Sequence, residues 1–129
     1  MLNLPTTASR FLVETGAGAT SLEVHASFDD LSILARTISQ GAKNTLITAP
    51  GSTVTVTPPS AGTDRNVKFL SMLNSGVACQ VTVQQTLDGI TFIEVYSVNL
   101  LSNYTLQYNT DSDGFRLYDD TGRILEGNA

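Results

Sequence analysis

From Ser21 onward the apolar residues of this chain recur at every second position. Leu22, Val24, Ala26 and Phe28 alternate with Glu23, His25 and Ser27, the pattern of a strand with one face buried and one face wet. Cys79, Val81 and Val83 alternate with Gln80, Thr82 and Gln84 in the same way, and Val54 and Val56 alternate with Thr53, Thr55 and Thr57. Helical periodicity is almost absent. A chain patterned like this buries its apolar side chains by pairing strands and stacking one sheet on another.

Turn signals interrupt the pattern at short intervals. Pro50-Gly51, Pro58–Gly62, Asn74-Ser75-Gly76, Asp88-Gly89, Asn109–Asp113 and Asp120-Thr121-Gly122 each favour reversal over extension. The strands predicted between them cover 21–28, 44–49, 52–57, 67–73, 79–87, 91–100, 104–108 and 114–119, with Ile124-Leu125 after the last turn. Asp88-Gly89 is the strongest hairpin signal. Asp29-Asp30 is expected to end the first strand. Leu31, Leu34, Ala35 and Ile38 fit a helical spacing, so 31–40 reads as a loop with one helical turn. Val67–Leu73 is apolar almost throughout and reads as a strand buried on both faces. About eight strands at spacings of roughly 8–12 residues predict an all-β fold, an antiparallel β-sandwich of jelly-roll-like type.

The 129 residues suffice for one core. Residues 1–20 contain Pro5, Gly16 and Gly18 and one apolar run, Phe11-Leu12-Val13. They read as an extended N-terminal arm before a sandwich domain at 21–129. Leu2, Leu4, Phe11 and Val13 are then expected to anchor the arm on a neighbouring subunit; the plainer alternative is a frayed terminus.

The net charge of −5 and the scatter of the seven basic residues from Arg10 to Arg123 argue against nucleic acid, which needs clustered Lys and Arg. No apolar run approaches the roughly 20 residues that span a bilayer, and the N-terminus lacks the pattern of a secretory leader. A single cysteine, Cys79, forms no intramolecular disulfide and fits a reducing cytoplasm. Only 15% of the residues are charged; Thr, Ser, Asn and Gln supply the polar surface. Such a surface is cheaper to desolvate than a charged one, which points towards permanent protein contacts.

Catalytic chemistry finds little to work with. His25 is the one histidine, no nucleophile elbow accompanies it, and Cys79 alternates with valines as a small core residue does. The expectation is a non-enzymatic chain without a cofactor. Asn109, Asp111 and Asp113, with Gly114 and then Asp120, mimic the alternating oxygen ligands of a calcium loop. The first ligand is Asn, the last is Asp where Glu is usual, and the flanks read as strands. A polar hairpin turn is therefore the expectation, with no metal. Tyr96, Tyr104, Tyr108 and Tyr118 could line a carbohydrate platform or a subunit interface, or serve as ordinary strand aromatics.

Three segments carry a resemblance: Ser21–Phe28, the stretch Gly62-Thr63-Asp64-Arg65-Asn66-Val67-Lys68-Phe69-Leu70-Ser71, and Tyr104–Tyr108 with Gly114–Leu117. In this order they resemble small virion structural proteins of tailed bacteriophages, over roughly residues 21–120. The resemblance implies a capsid cement (decoration) protein, with a head-fibre or tail component as the alternative and a carbohydrate-binding β-sandwich as a further rival. It also implies the major capsid protein or another virion protein as partner, self-association as a dimer or trimer, and a place in the virion after assembly in the host cytoplasm. Tyr104 and Tyr108 would face the partner. Arg65 and Lys68 would pair with its carboxylates, unless they are ordinary strand-edge charges.

Overall fold

The computed structural model describes residues 2–112 and 114–127. In chain order the strands are β1 (Leu2–Leu4), β2 (Arg10–Thr15), β3 (Leu22–Ser32), β4 (Thr37–Ile47), β5 (Gly51–Val56) and β6 (Thr63–Asn74). They continue with β7 (Cys79–Thr86), β8 (Ile93–Leu100), β9 (Thr105–Asn109), β10 (Gly114–Tyr118) and β11 (Ile124–Gly127). A single 3-10 turn, Thr110–Ser112, follows β9, and no α-helix occurs among the described residues.

All pairings are antiparallel. The larger sheet runs β11-β10-β9-β6-β3-β4, with β1 added to β6, and the smaller runs β5-β2-β7-β8. β6 takes β1 against Arg65–Val67 and β9 against Phe69–Leu73, so those two short strands share one of its edges. The expected two-sheet sandwich is present. Its division into seven and four strands does not establish a jelly-roll winding.

The predicted alternation decides what each sheet buries. Leu22, Val24, Ala26 and Phe28 point inward with Val67, Leu70, Met72, Leu106 and Phe115. Phe11, Val13, Val56, Val81, Val83 and Leu100 of the smaller sheet meet them in one core. Each of the Val, Leu, Met and Phe side chains among them contributes about 1.5–3 kcal/mol when fully buried. Tyr96 of β8 stacks on Phe115 of β10 with centroids 4.8 Å apart, tying the sheets together beyond area burial.

Four expectations need correction. Residues 2–20 do not stand apart as an arm: β1 belongs to the larger sheet and β2 lies between β5 and β7. Leu4, Phe11 and Val13 are 0%, 1% and 0% exposed, so the apolar residues assigned to a neighbour complete this chain's own core. Gly16–Gly18 is the turn into β3, with Ala19 N–H donating to Gly16 O.

Asp29-Asp30 does not end β3, which runs to Ser32. The two carboxylates alternate across the sheet, and each meets a cation from β6: Asp29 meets Lys68 at 3.3 Å and Asp30 meets Arg65 at 2.8 Å. Paired charges let a strand continue where bare ones would favour a turn. The stretch 31–40 is a hairpin connection and the start of β4. Its helical spacing reflects one turn at the tip, where Arg36 N–H donates to Ser32 O at 2.8 Å and Arg36 takes φ 55°. Finally, β6 alternates: Val67, Leu70 and Met72 are fully buried, whereas Lys68 is exposed and Phe69, Ser71 and Leu73 are half-buried.

Candidate interaction surfaces

The residues expected to meet a partner divide into two groups. Leu4, Phe11, Val13 and Tyr108 lie inside the core, and Leu2 and Tyr104 are half-buried against it. None of the six is the free anchor the sequence reading required, because burying them within the chain already removes them from water. Arg65 faces Asp30 across the strand pair. Its Nε and Nη2 donate to the two carboxylate oxygens at 2.8 and 2.9 Å, and its Nη1 donates to Thr57 O at 2.9 Å. The guanidinium also lies 4.0 Å from the centre of the Phe28 ring, a cation–π contact. Arg65 is thus fully engaged within the chain, in the interior of the larger sheet and not at its edge. Lys68 is half-exposed and pairs with Asp29.

The calcium-like residues do not converge. Asn109 Oδ1 accepts the Asp111 N–H at 2.9 Å, which is a polar turn closing on itself. Asp120 lies beyond the far end of β10, roughly 17 Å away along five extended residues. Asp113 lies outside the described residues. His25, on the outer face of β3, hydrogen-bonds Asn44 of the neighbouring strand. Cys79 is buried, and burial pushes its thiol up from the ordinary value. Among the described residues no three His, Cys, Asp or Glu side chains gather as a metal site, and no helix is long and apolar enough to cross a membrane.

The tyrosines do not form a platform. Tyr108 is in the core, Tyr96 stacks on Phe115, and Tyr104 packs on the core from its margin.

What remains outside is informative. The outer face of the smaller sheet carries Gln80, Thr82 and Ser97, whose side chains hydrogen-bond one another at 2.6 and 3.0 Å. The outer face of the larger sheet bears His25, Asn44 and Ser71 beside a shallow hollow of about 560 Å³. A second hollow of about 640 Å³ lies over Ser27, Gln40, Phe69 and Asn109. Many of the exposed apolar side chains lie elsewhere, on two separate loops at one end. The register places the β3–β4 tip beside Thr63 and the β7–β8 loop beside Arg10, at the same end of the sandwich. That end exposes Ile33, Leu34, Leu87, Ile90, Phe92 and Ile93, with Leu34 96% and Ile90 82% exposed.

Comparison with protein-family models, curated proteins and solved structures returned no match. What the chain does has to follow from its surfaces. The apolar pole was not singled out from the sequence, although Ile90 and Phe92 directly after Asp88-Gly89 put apolar residues in a turn, where polar ones are expected. That loop is firmly shaped. Asp88 Oδ1 accepts the N–H groups of Ile90 and Thr91, each at 2.8 Å, and Gly89 takes φ 81°, a conformation suited to glycine. These backbone donors, Thr91 first, hold the Asp88 carboxyl below its ordinary value. Ile90 is therefore presented on a built loop.

Proposed function

We propose that this chain is a non-enzymatic virion structural protein, a capsid cement that binds and stabilises a phage head shell. The observation that carries the reading is the set of exposed apolar side chains on two loops at one end of a sandwich whose surface is otherwise polar and sparsely charged. Soluble chains seldom leave Leu34, Ile90 and Phe92 in water unless a partner covers them. Sheet faces rich in Ser, Thr, Asn and Gln and sparse in charge add less desolvation cost than charged ones when such a module is crowded against identical neighbours. The likeness of Ser21–Phe28, Gly62–Ser71 and the β9–β10 hairpin to small phage virion proteins points the same way.

The physical logic is linkage. A module that binds only the assembled shell stabilises it by mass action, and an oligomeric module multiplies modest contacts through avidity. The contact residues differ from those the sequence suggested: Ile33, Leu34, Ile90 and Phe92 take the place of Leu4, Phe11, Val13 and Tyr108. A head-fibre or tail component would use the same pole. A carbohydrate-binding role is less supported, because three of the four tyrosines pack inward or against the core.

Immunogold labelling of purified particles tests the reading. Gold distributed over the icosahedral shell is the expected result; gold confined to a fibre or tail selects the alternative. Absence of the chain from washed particles overturns the virion role. Leu34→Asp with Ile90→Asp should release the chain from the shell while leaving its melting transition in place.

A further inference from the structure

The larger sheet ends on β4, and among the described residues no strand pairs with its outer edge. Eleven consecutive residues, Thr37–Ile47, pair with β3 on the inner side without a register shift. The strand therefore offers roughly 37 Å of regular, unpaired backbone. Proteins normally blunt such an edge with proline, bulges, charge or shortness. β4 has no proline and no bulge, and its one guarding feature is the single charge Lys43, which points inward to donate to Val54 O at 3.2 Å. The other outer strands are better guarded. β11 has four residues. β5 receives Lys43 on its Val54 carbonyl, and the β8 pairing is broken by a register shift.

The sequence of β4 is also self-complementary when reversed. A two-fold axis through Ala42 sets Ile38 against Leu46, Ser39 against Thr45, Gln40 against Asn44 and Gly41 against Lys43. Apolar meets apolar, hydroxyl meets hydroxyl, amide meets amide, and neither lysine faces its copy. Ile38 and Leu46 are 71% and 61% exposed and lie on the same outer face as Ala42, so the axis would cover both. The Thr45 hydroxyl is buried and finds no hydrogen-bond partner among the described residues; Ser39 of a second copy falls opposite it, the cross-strand hydroxyl pair that sheets favour.

We infer that β4 is a homodimer edge: two copies pair antiparallel about Ala42 and fuse their larger sheets into one. The pairing is isologous, as a two-fold contact must be, and eleven paired positions supply roughly ten intermolecular hydrogen bonds, the number of an ordinary interface. This inference concerns the contact between copies and leaves the apolar pole free for a different partner. It names the self-association in the proposed function, yet it stands or falls without the virion reading, because particle labelling and the measurement below fail separately.

Light scattering across a concentration series of the full chain tests it, with Ala42→Asp and Ala42→Lys as variants. Ala42 is exposed in the single chain, so neither change disturbs the core, and matching melting curves verify that each variant folds. The wild type should have the mass of two chains. Each variant places like charges on the axis and should have the mass of one, and a one-to-one mixture should regain the mass of two. An Ala42→Cys variant should give a covalent dimer on mild oxidation, while the wild type, with its buried Cys79, should not. A wild type that stays single at all concentrations, a trimer, a dimer untouched by both substitutions, or a mixture that stays single would each overturn the inference.

Discussion

Gly41 faces Phe28 across the β3–β4 pair, and the two make a sharp test of how this sheet is packed. A Cβ added at Gly41 would lie 2.5 Å from Cε1 and 2.9 Å from Cζ of the Phe28 ring. Neither is a distance that carbon atoms tolerate, so the ring would have to move. It has little freedom to do so, because the Arg65 guanidinium sits 4.0 Å from its centre and is pinned by Asp30. Elsewhere in a strand, glycine to alanine gains about 0.5–1 kcal/mol by reducing backbone entropy loss. Here overpacking costs about 1–3 kcal/mol, so at mid-range the clash wins and Gly41→Ala should destabilise by about 1 kcal/mol, rising to about 2.5 kcal/mol at the limit of these ranges. Phe28→Leu removes the two clashing ring atoms. In that background the same alanine should become neutral or stabilising, a coupling of about 1–3 kcal/mol in a double-mutant cycle. Urea unfolding of the four proteins measures it, provided the slope is unchanged so that midpoints report stability. A Gly41→Ala protein as stable as wild type, or an equal loss in both backgrounds, would refute the reasoning.

Phe11→Ala should cost about 3–5 kcal/mol in the same assay, since the residue is a core side chain; a loss under 1 kcal/mol would restore the idea of an N-terminal arm. Asp30→Ala should cost about 1–3 kcal/mol, because it strands an Arg65 that is largely shielded from water, whereas Asp29→Ala, which frees only the half-exposed Lys68, should cost under about 1 kcal/mol. Asp88 and Asp119 both have carboxyls lowered from the ordinary value of 3.8, by turn backbone donors and by the Thr121 hydroxyl respectively. Their stabilisation is complete above that value and is lost as pH falls below it towards the folded-state values. Acid titration of the melting temperature should show the decline starting there, and Asp88→Asn with Asp119→Asn should flatten it. Cys79, buried and with its thiol pushed up, should react with an alkylating reagent only at the rate of unfolding.

Much of the fold was legible because one signal, the period of two, is repeated along the chain. Leu22–Phe28 and Cys79–Val83 fall inward where their alternation places them. The β9–β10 hairpin closes where Asn109–Asp113 marks the turn. The misreadings share a cause. Residues 1–20 read as an arm because they hold Pro5, Gly16 and Gly18 and one short apolar run, and composition does not reveal that Leu4 and Phe11 complete distant parts of one core. Phe69 and Leu73 look like core residues in sequence, but β6 turns them outward. On the site side, the apolar pole combines two loops about 55 residues apart, and only strand register, which spacing does not fix, brings them to one end.

The pair Asp29-Asp30 shows how one such misreading hid the most consequential surface. Read as a stop, it removed residues 31–40 from the sheet and made β4 a short strand starting near Asn44. With the carboxylates paired to Lys68 and Arg65, β3 extends to Ser32, and β4 is extended with it to eleven residues. A six-residue edge of mixed polarity would need no explanation. An eleven-residue edge with neither proline nor bulge presents an open row of backbone donors and acceptors, and such a row is either covered or a route to uncontrolled association. The two ion pairs therefore do more than hold β3 to β6. Disrupting both, by Asp29→Ala with Asp30→Ala, should fray the distal half of β3 and carry β4 with it. Amide exchange should speed up across residues 28–41 and leave β7 protected. Equal exchange in both regions would show that the distal hairpin does not depend on these charges.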